Sequence, residues 1–154
     1  MLGNCFINLR ISGLGLDLNE ITNTLRTIPN NAYKKGDKKL CKITLEEFEH
    51  TEDYWIASVE FDKQQPLENE IEKIILKYLP YAKYLRGLSE RSEITFWVSL
   101  YPETEQFNVH LTKKSLTALS EMGVTFDCSV AYLQAFYDGT MGQIVPKNNK
   151  IQGR

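Results

Sequence analysis

The stretch PLENEIEKIILKY, at residues 66–78, decides the fold because it is the clearest helical pattern in the 154-residue chain. Its apolar side chains recur at the spacing of a single helix face and are Leu67, Ile71, Ile74, Ile75 and Tyr78. Pro66 stands at a first-turn position, where its missing N–H costs nothing, and Pro80 ends or kinks the helix. We expect the following YAKYLRGLSERS to continue as helical or irregular structure.

Stretches of alternating apolar and polar residues on either side of this helix predict the strands of a sheet. The pattern is present at residues 5–12, 41–45, 55–61, 94–100, 107–111 and 124–130. The polar connection EHTED joins the second and third stretches, which predicts an antiparallel hairpin. Trp55 shares its face with Ala57, Val59 and Phe61, so we expect it to be buried.

Two further helices are indicated by their end signals. Asp17 followed by Glu20 forms a capping box at the start of the first, which Pro29 ends. Thr112 can cap the other, and Gly123 stands just past its end. The sequence PNNAYKKGDKK after the first helix is expected to be loop.

The resulting order, β-α-β-β-α-β extended by β-α-β, predicts an α+β fold of the ferredoxin-like kind. Such a chain buries its apolar residues best with one mostly antiparallel sheet and its helices on one face. The other face would be polar and would carry Trp97 and His110. We expect a single domain at residues 1–137 and a polar, flexible tail at residues 138–154.

The totals of the sequence narrow the classes of function. A net charge of −2 argues against a dedicated nucleic-acid binder, which usually carries a basic excess. No apolar run approaches the roughly 20 residues of a membrane span, so no membrane partner is expected. Cys5, Cys41 and Cys128 are far apart, odd in number and set in apolar alternation, which indicates buried, reduced thiols in a cytoplasmic protein.

The stretch YKKGDKK, at residues 33–39, surrounds one Gly-Asp pair with four lysines. A phosphate-binding loop would have more glycines and a GK[ST] ending, and this stretch has neither. We interpret it as a turn whose lysines are solvated and contribute little to stability: Lys34, Lys35, Lys38 and Lys39. The stretch SGLGLDLNE imitates a dinucleotide fingerprint, but Asp17 would put a carboxylate where the phosphates bind. No cofactor is expected.

Two groups of residues are candidates for binding a partner, and none is a candidate for catalysis. The acidic segment LEEFEHTED contributes Glu46, Glu47, Glu49, Glu52 and Asp53. Complementary charge accelerates docking, so these side chains suit a basic protein partner. They lack the glycine-turn framework of an oxygen-rich metal cage, so no metal site is expected. The second group is Trp97 with His110, which would line a ligand site on the polar face of the sheet.

Several pieces of the chain recur, in order, in one known pattern. They are FINLRISG, LDLNEIT, IP, KKGD, YWIASVEF, PLENEIEKIILKYLP, ITFWVSLYP and FNVHLTKKSLTALSEMGVTFDCSVAY. Together they resemble the bacterial family called domain of unknown function 4279, over residues 5–132. The resemblance implies that Gly36 and Asp37 form the family's Gly-Asp turn and that Trp55 is the tryptophan that follows it. It brings no catalytic residues to this chain.

We therefore expect a non-enzymatic binding protein. By analogy with other small bacterial proteins, it would be an immunity protein that neutralises a basic toxin domain by direct binding. The alternative is a small-molecule or nucleotide-binding regulatory domain, with Trp97 and His110 lining its site. An enzyme would have only the carboxylates of LEEFEHTED as acid and base candidates.

Overall fold

The computed structural model describes residues 4–41, 44–59, 61–62, 64–102 and 108–131. The strands within these ranges are β1 Asn4–Gly13, β2 Asn31–Tyr33, β3 Lys38–Leu40, β4 Glu47–Glu49, β5 Asp53–Val59, β6 Ser92–Tyr101 and β7 Thr125–Val130. The helices are α1 Leu18–Leu25, α2 Leu67–Tyr78, α3 Ala82–Ser89 and α4 Lys113–Met122, with a 3-10 turn at Leu79–Tyr81. The predicted α+β class is confirmed.

Five strands form one sheet in the order β2-β5-β1-β6-β7. The first four are antiparallel to their neighbours, and β7 runs parallel to β6. The short strands β3 and β4 pair with each other as a separate antiparallel ribbon. The sheet is therefore mostly antiparallel, as the sequence predicts.

The helix ends follow the sequence signals. Asp17 Oδ1 accepts hydrogen bonds from the backbone N–H groups of Asn19 and Glu20, at 3.1 and 2.9 Å. Thr112 Oγ1 accepts from the backbone N–H of Ser115 at 3.1 Å. Gly123 follows α4 with a φ of 67°, a conformation that other residues adopt with strain. These bonds satisfy backbone groups that the helix itself leaves unpaired.

The core lies between the helices and one face of the sheet. The inward-facing strand residues and the buried residues of all four helices form one cluster. Trp55 is fully buried, and its Nε1–H donates to Thr22 Oγ1 at 3.0 Å. The predicted burial of Trp55 is confirmed. The opposite face of the sheet carries the alternate, mostly polar residues of the same strands, because side-chain direction reverses at each strand position.

One strand prediction is wrong, and another lies partly outside the described residues. For the stretch predicted at residues 41–45, residues 42 and 43 lie outside the described residues; the Cys41 N–H donates to the Glu46 carbonyl at 2.9 Å, and the Leu45 N–H donates to the Cys41 carbonyl at 2.8 Å. Residues 108–111 have no strand, and Val109 and Leu111 pack partly against the core from a loop. Alternation over so few residues reflects packing and does not establish strand pairing. Phe107 lies outside the described residues.

The region predicted to be loop after α1 contains β2 and β3. Each has three residues, which is too short for alternation to be recognised. The cysteines also differ from expectation. Only Cys5 is buried; Cys41 is half-buried and Cys128 is exposed on β7, at the edge of the sheet.

No helix in the described part of the chain is long and apolar enough to cross a membrane. The predicted domain end at residue 137 and the predicted tail at residues 138–154 lie outside the described residues, and both stay predictions.

Candidate functional site

A hollow of about 230 Å³ lies on the polar face of the sheet. Four strands and the residue before β5 build it, and we call it the Arg10 hollow. Its lining residues are Arg10, Ser12, Glu52, Tyr54, Ile56, Glu93, Thr95, Trp97 and Asp127. They meet because the strand register places Arg10 between Ile56 and Thr95, and Trp97 between Asn8 and Asp127.

The Arg10 guanidinium lies over the Trp97 ring in this hollow. The guanidinium carbon lies 4.2 Å from the centre of the indole ring, a cation–π contact. The Trp97 Nε1–H donates to Ser99 Oγ at 2.8 Å, which orients the ring. Arg10 Nε is buried and has no hydrogen-bond partner among the described residues. No carboxylate oxygen among them lies within 4.0 Å of an Arg10 nitrogen.

Three carboxylates line the hollow with this single guanidinium. Glu52 accepts a hydrogen bond from the Tyr54 hydroxyl at 2.9 Å. That bond, with burial and the negative charges of Glu52 and Glu93, raises the pKa of Tyr54 above its usual value. Glu93 and Asp127 are exposed, and neither has a hydrogen bond or ion pair with any other described residue. The hollow therefore presents both signs of charge without pairing them.

The turn at residues 34–37 is closed to phosphate because each of its backbone N–H groups is already used. Lys34 donates to Asp37 Oδ2, Lys35 to Asp53 Oδ1, Gly36 to the His50 carbonyl, and Asp37 to the Lys34 carbonyl, at 2.8–3.0 Å. Gly36 has a φ of 87°, which a glycine adopts without strain. The prediction that this stretch is a turn is confirmed.

A family model described as Domain of unknown function (DUF4279) matches residues 4–133. The chain belongs to the DUF4279 family. No curated protein and no solved structure matches it. The matched span contains every residue of the Arg10 hollow, so this surface is part of the DUF4279 domain.

The acidic segment of this DUF4279 domain is divided by the fold. Glu47 and Glu49 lie on β4 opposite Leu40 and Lys38, and both are exposed. Glu46 is exposed in the preceding turn, whereas Glu52 lines the Arg10 hollow. The fold therefore places the carboxylates of this segment in different settings, and their part in binding a partner stays a prediction.

Asp53, the last residue of the acidic segment, is buried and therefore does not contribute to a docking surface. It is 2% exposed and accepts hydrogen bonds from the Leu16 N–H at 2.8 Å, the Lys35 N–H at 2.8 Å and Lys34 Nζ at 3.0 Å. The Lys35 bond, helped by Lys34 and Leu16 and opposed by burial, lowers the pKa of Asp53 from 3.8 to about 2. Asp53 is a structural anchor, and its ion pair makes Lys34 an exception to the prediction of solvated lysines.

Trp97 and His110, which were predicted to line one ligand site, are also separated in the structure. Trp97 lies on the polar face, as expected, and is half-buried beneath Arg10. His110 is exposed in the segment before α4 and does not line the Arg10 hollow. Sequence reasoning missed the role of Arg10, although its position in the alternation of residues 5–12 placed it on the same face as Trp97. In the described part of the chain, no group of three or more His, Cys, Asp or Glu side chains is placed to hold a metal ion.

Proposed function

We propose that this DUF4279 domain is a non-enzymatic binding protein and that a small molecule binds in the Arg10 hollow. One observation carries the proposal: the Arg10 guanidinium is held against Trp97, yet no carboxylate among the described residues pairs with it. A charged group that is ordered before its ligand arrives loses little conformational entropy on binding. The hollow therefore favours the small-molecule alternative over a protein partner.

Binding without chemistry is the function that suits the lining residues. None of them is His, Cys or Lys, and the Arg10 guanidinium offers hydrogen-bond donors but no acceptor. Their hydroxyl, guanidinium and carboxylate groups are well suited to orienting a polar ligand. We accordingly assign no catalytic residue.

The two tryptophans provide a direct test. Trp97 and Trp55 lie on opposite faces of the same sheet, so a ligand of the hollow contacts only Trp97. We expect members of a metabolite library to move the indole N–H resonance of Trp97 in a two-dimensional NMR spectrum and to leave that of Trp55 in place. The variant Trp97→Phe assigns the two signals.

Three results are possible in that screen. A saturable shift of the Trp97 signal alone, lost in Arg10→Lys, supports the proposal. Equal movement of both signals indicates a global effect, and no movement with any class of metabolite contradicts a ligand site at the Arg10 hollow.

An immunity protein is the second candidate, and the ribbon of β3 and β4 favours it. This ribbon exposes Leu40 and Phe48 at 51% and 44%, beside Glu46, Glu47 and Glu49. Apolar side chains among charged ones are typical of a protein-docking surface. Lys38 faces Glu49 across the ribbon, which reduces the net negative charge there. The exposed apolar side chains therefore support this candidate more strongly than the acidic charge does.

The immunity candidate is tested with the product of the adjacent gene. We expect Phe48→Ser to weaken binding of that product at least tenfold, and Glu46→Lys with Glu47→Lys to slow association and flatten its dependence on salt. The matched control is Glu90→Lys, an exposed position at the end of α3. Equal affinities for all these proteins would remove the ribbon from the interface.

We further propose that β1, β2, β5 and β6 with their crossover helices form a ferredoxin-like unit, which α4 and β7 extend. The order β2-β5-β1-β6 supports this, because the crossovers through α1 and through α2 and α3 each pass over one strand. The odd number and wide spacing of the three cysteines support a reducing compartment, and we propose the cytoplasm.

A further inference from the structure

We propose that the Arg10 hollow binds a free α-amino acid, and that amino acids with a basic side chain bind more tightly than the others. This inference rests on the proposed function, since it names the ligand of the same hollow. It follows from the signs, positions and pairing of the four charged groups that line the hollow.

Arg10 provides the site for the carboxylate of the ligand. The planar guanidinium fork matches a carboxylate with two parallel hydrogen bonds, and the contact with Trp97 holds the guanidinium in place. The Arg10 Nε is buried and is closed to a ligand, so the two terminal nitrogens of the guanidinium would hold the carboxylate. The described residues supply no carboxylate to these nitrogens.

Glu93 and Asp127 provide the sites for positive charge. Glu93 pairs with Ser12, two positions from Arg10 along β1, so it lies one strand away from Arg10. Asp127 lies on β7 and pairs with Trp97 of β6. In the sheet, β7 is two strands away from β1. The guanidinium lies over Trp97, the partner of Asp127, whereas Glu93 is four positions from Trp97 along β6, roughly 13 Å at about 3.3 Å per residue. The α-ammonium group, which is adjacent to the carboxylate, therefore fits near Asp127, and a long basic side chain reaches toward Glu93.

The charge balance separates this ligand class from its competitors. Three carboxylates surround one guanidinium, so a phosphate or dicarboxylate would be repelled by Glu52, Glu93 and Asp127. A diamine without a carboxylate would satisfy the acids but would be repelled by Arg10. A basic amino acid is complementary to both.

The size of the hollow agrees with this assignment. Its volume of about 230 Å³ is below the range of roughly 300–1,000 Å³ that is typical of drug-sized ligands. A water molecule takes about 30 Å³ of liquid, so the volume of the hollow corresponds to roughly eight non-hydrogen atoms. An amino acid with a long, unbranched side chain is close to that size.

Three related compounds test the assignment by calorimetry on the full chain. L-lysine has the complete set of charges, cadaverine lacks the carboxylate, and 6-aminohexanoate lacks the α-ammonium group. We expect L-lysine to bind at least tenfold more tightly than either of the others. Equal affinity for L-lysine and cadaverine would overturn the role of Arg10.

Variants separate the individual groups. Arg10→Lys keeps the positive charge but loses the guanidinium fork. It should weaken the binding of L-lysine at least tenfold and should not weaken the binding of cadaverine. Glu93→Gln, at an exposed position, should weaken binding of L-lysine more than it weakens binding of L-alanine. Glu90→Gln, an exposed carboxylate outside the hollow, is the matched control and should change nothing. An unchanged Trp55 indole signal confirms that each variant is folded.

The outcomes distinguish this inference from the proposed function. If no amino acid moves the Trp97 signal but another class of metabolite does, the amino-acid assignment is wrong and the hollow remains a binding site. If no class of compound moves it, both are wrong. Unchanged L-lysine affinity in Arg10→Lys and Glu93→Gln would place the amino acid elsewhere on the molecule.

Discussion

Asp53 and Lys34 form an ion pair of 3.0 Å in which the carboxylate side chain is 3% exposed and the lysine side chain is 53% exposed. The same Lys34 Nζ donates to the Leu16 carbonyl at 2.7 Å, and Asp53 accepts from the Leu16 N–H. These bonds join the β1–α1 turn, the start of the lysine-rich turn and the first residue of β5. Asp53 is therefore the polar anchor of a region that has few buried apolar residues.

We predict that Asp53→Asn destabilises the protein by about 2–4 kcal/mol. Three donors converge on the carboxylate, and the NH₂ group of an asparagine would face at least one of them. Urea unfolding of the two proteins measures the difference. Glu49→Gln, an exposed carboxylate on β4, is the control and should change the free energy of unfolding by less than about 0.5 kcal/mol. Equal losses in the two variants would contradict the role of Asp53.

The stability of the protein should depend on pH through Asp53. The folded-state pKa of Asp53 is lowered from 3.8 to about 2, so the folded protein holds this carboxylate ionised where the unfolded chain binds a proton. Its stabilisation is complete above a pH of about 5 and is lost as the pH falls through 3.8 toward about 2. Unfolding free energies measured over this range should converge for the wild type and Asp53→Asn. A difference that stays constant down to a pH of about 2 would contradict the prediction.

Lys34 and Lys35 should differ although they are adjacent and both exposed. Lys34→Ser removes the ammonium that pairs with Asp53 and should cost about 1–2 kcal/mol. Lys35→Ser keeps the backbone N–H that Asp53 accepts from, and it should cost less than about 0.5 kcal/mol. Chemical denaturation of both variants checks the difference. Similar costs would mean that the Asp53–Lys34 pair contributes nothing measurable.

The sequence contained the evidence for the burial of Asp53. Asp53, Trp55 and Ala57 occupy alternate positions of β5, so they point to the same face, and all three are buried. Grouping Asp53 with the neighbouring glutamates by charge alone hid this relation. Extending the alternation of Trp55 back by two residues would have placed the carboxylate in the interior, where it needs donors.

The long elements were predictable because their patterns are local. The helix at residues 66–78 and the strands around Trp55 and Phe96 are specified by side chains within a few residues of one another. The short strand β2 was not predictable, since its three residues are held by pairing with β5. The Arg10–Trp97 contact depends on the register between β1 and β6, which a single sequence leaves open.

Substitution by alanine should change the stability of the protein in opposite directions at Gly87, which lies within α3, and at Gly123, which lies next to α3. Gly87 lies within α3, its φ is not positive, and a Cβ built on it meets no described atom within 4 Å. Because glycine in a helix costs roughly 0.5–1 kcal/mol relative to alanine, Gly87→Ala should stabilise the protein by about that amount. Gly123 has a φ of +67°, and its Cβ would lie 2.8 Å from Ser89 Oγ.

Gly123→Ala should therefore destabilise the protein by about 1–2 kcal/mol through backbone strain and the contact with Ser89. Thermal unfolding of both variants gives the two signs in one experiment. The double variant Gly123→Ala with Ser89→Ala removes the close contact and leaves the strain, so it should recover only part of the loss. If Gly87→Ala destabilised the protein, the surface over this part of α3 would have to be covered in the folded protein. If the double variant recovered all of the lost stability, the positive φ of Gly123 would cost nothing.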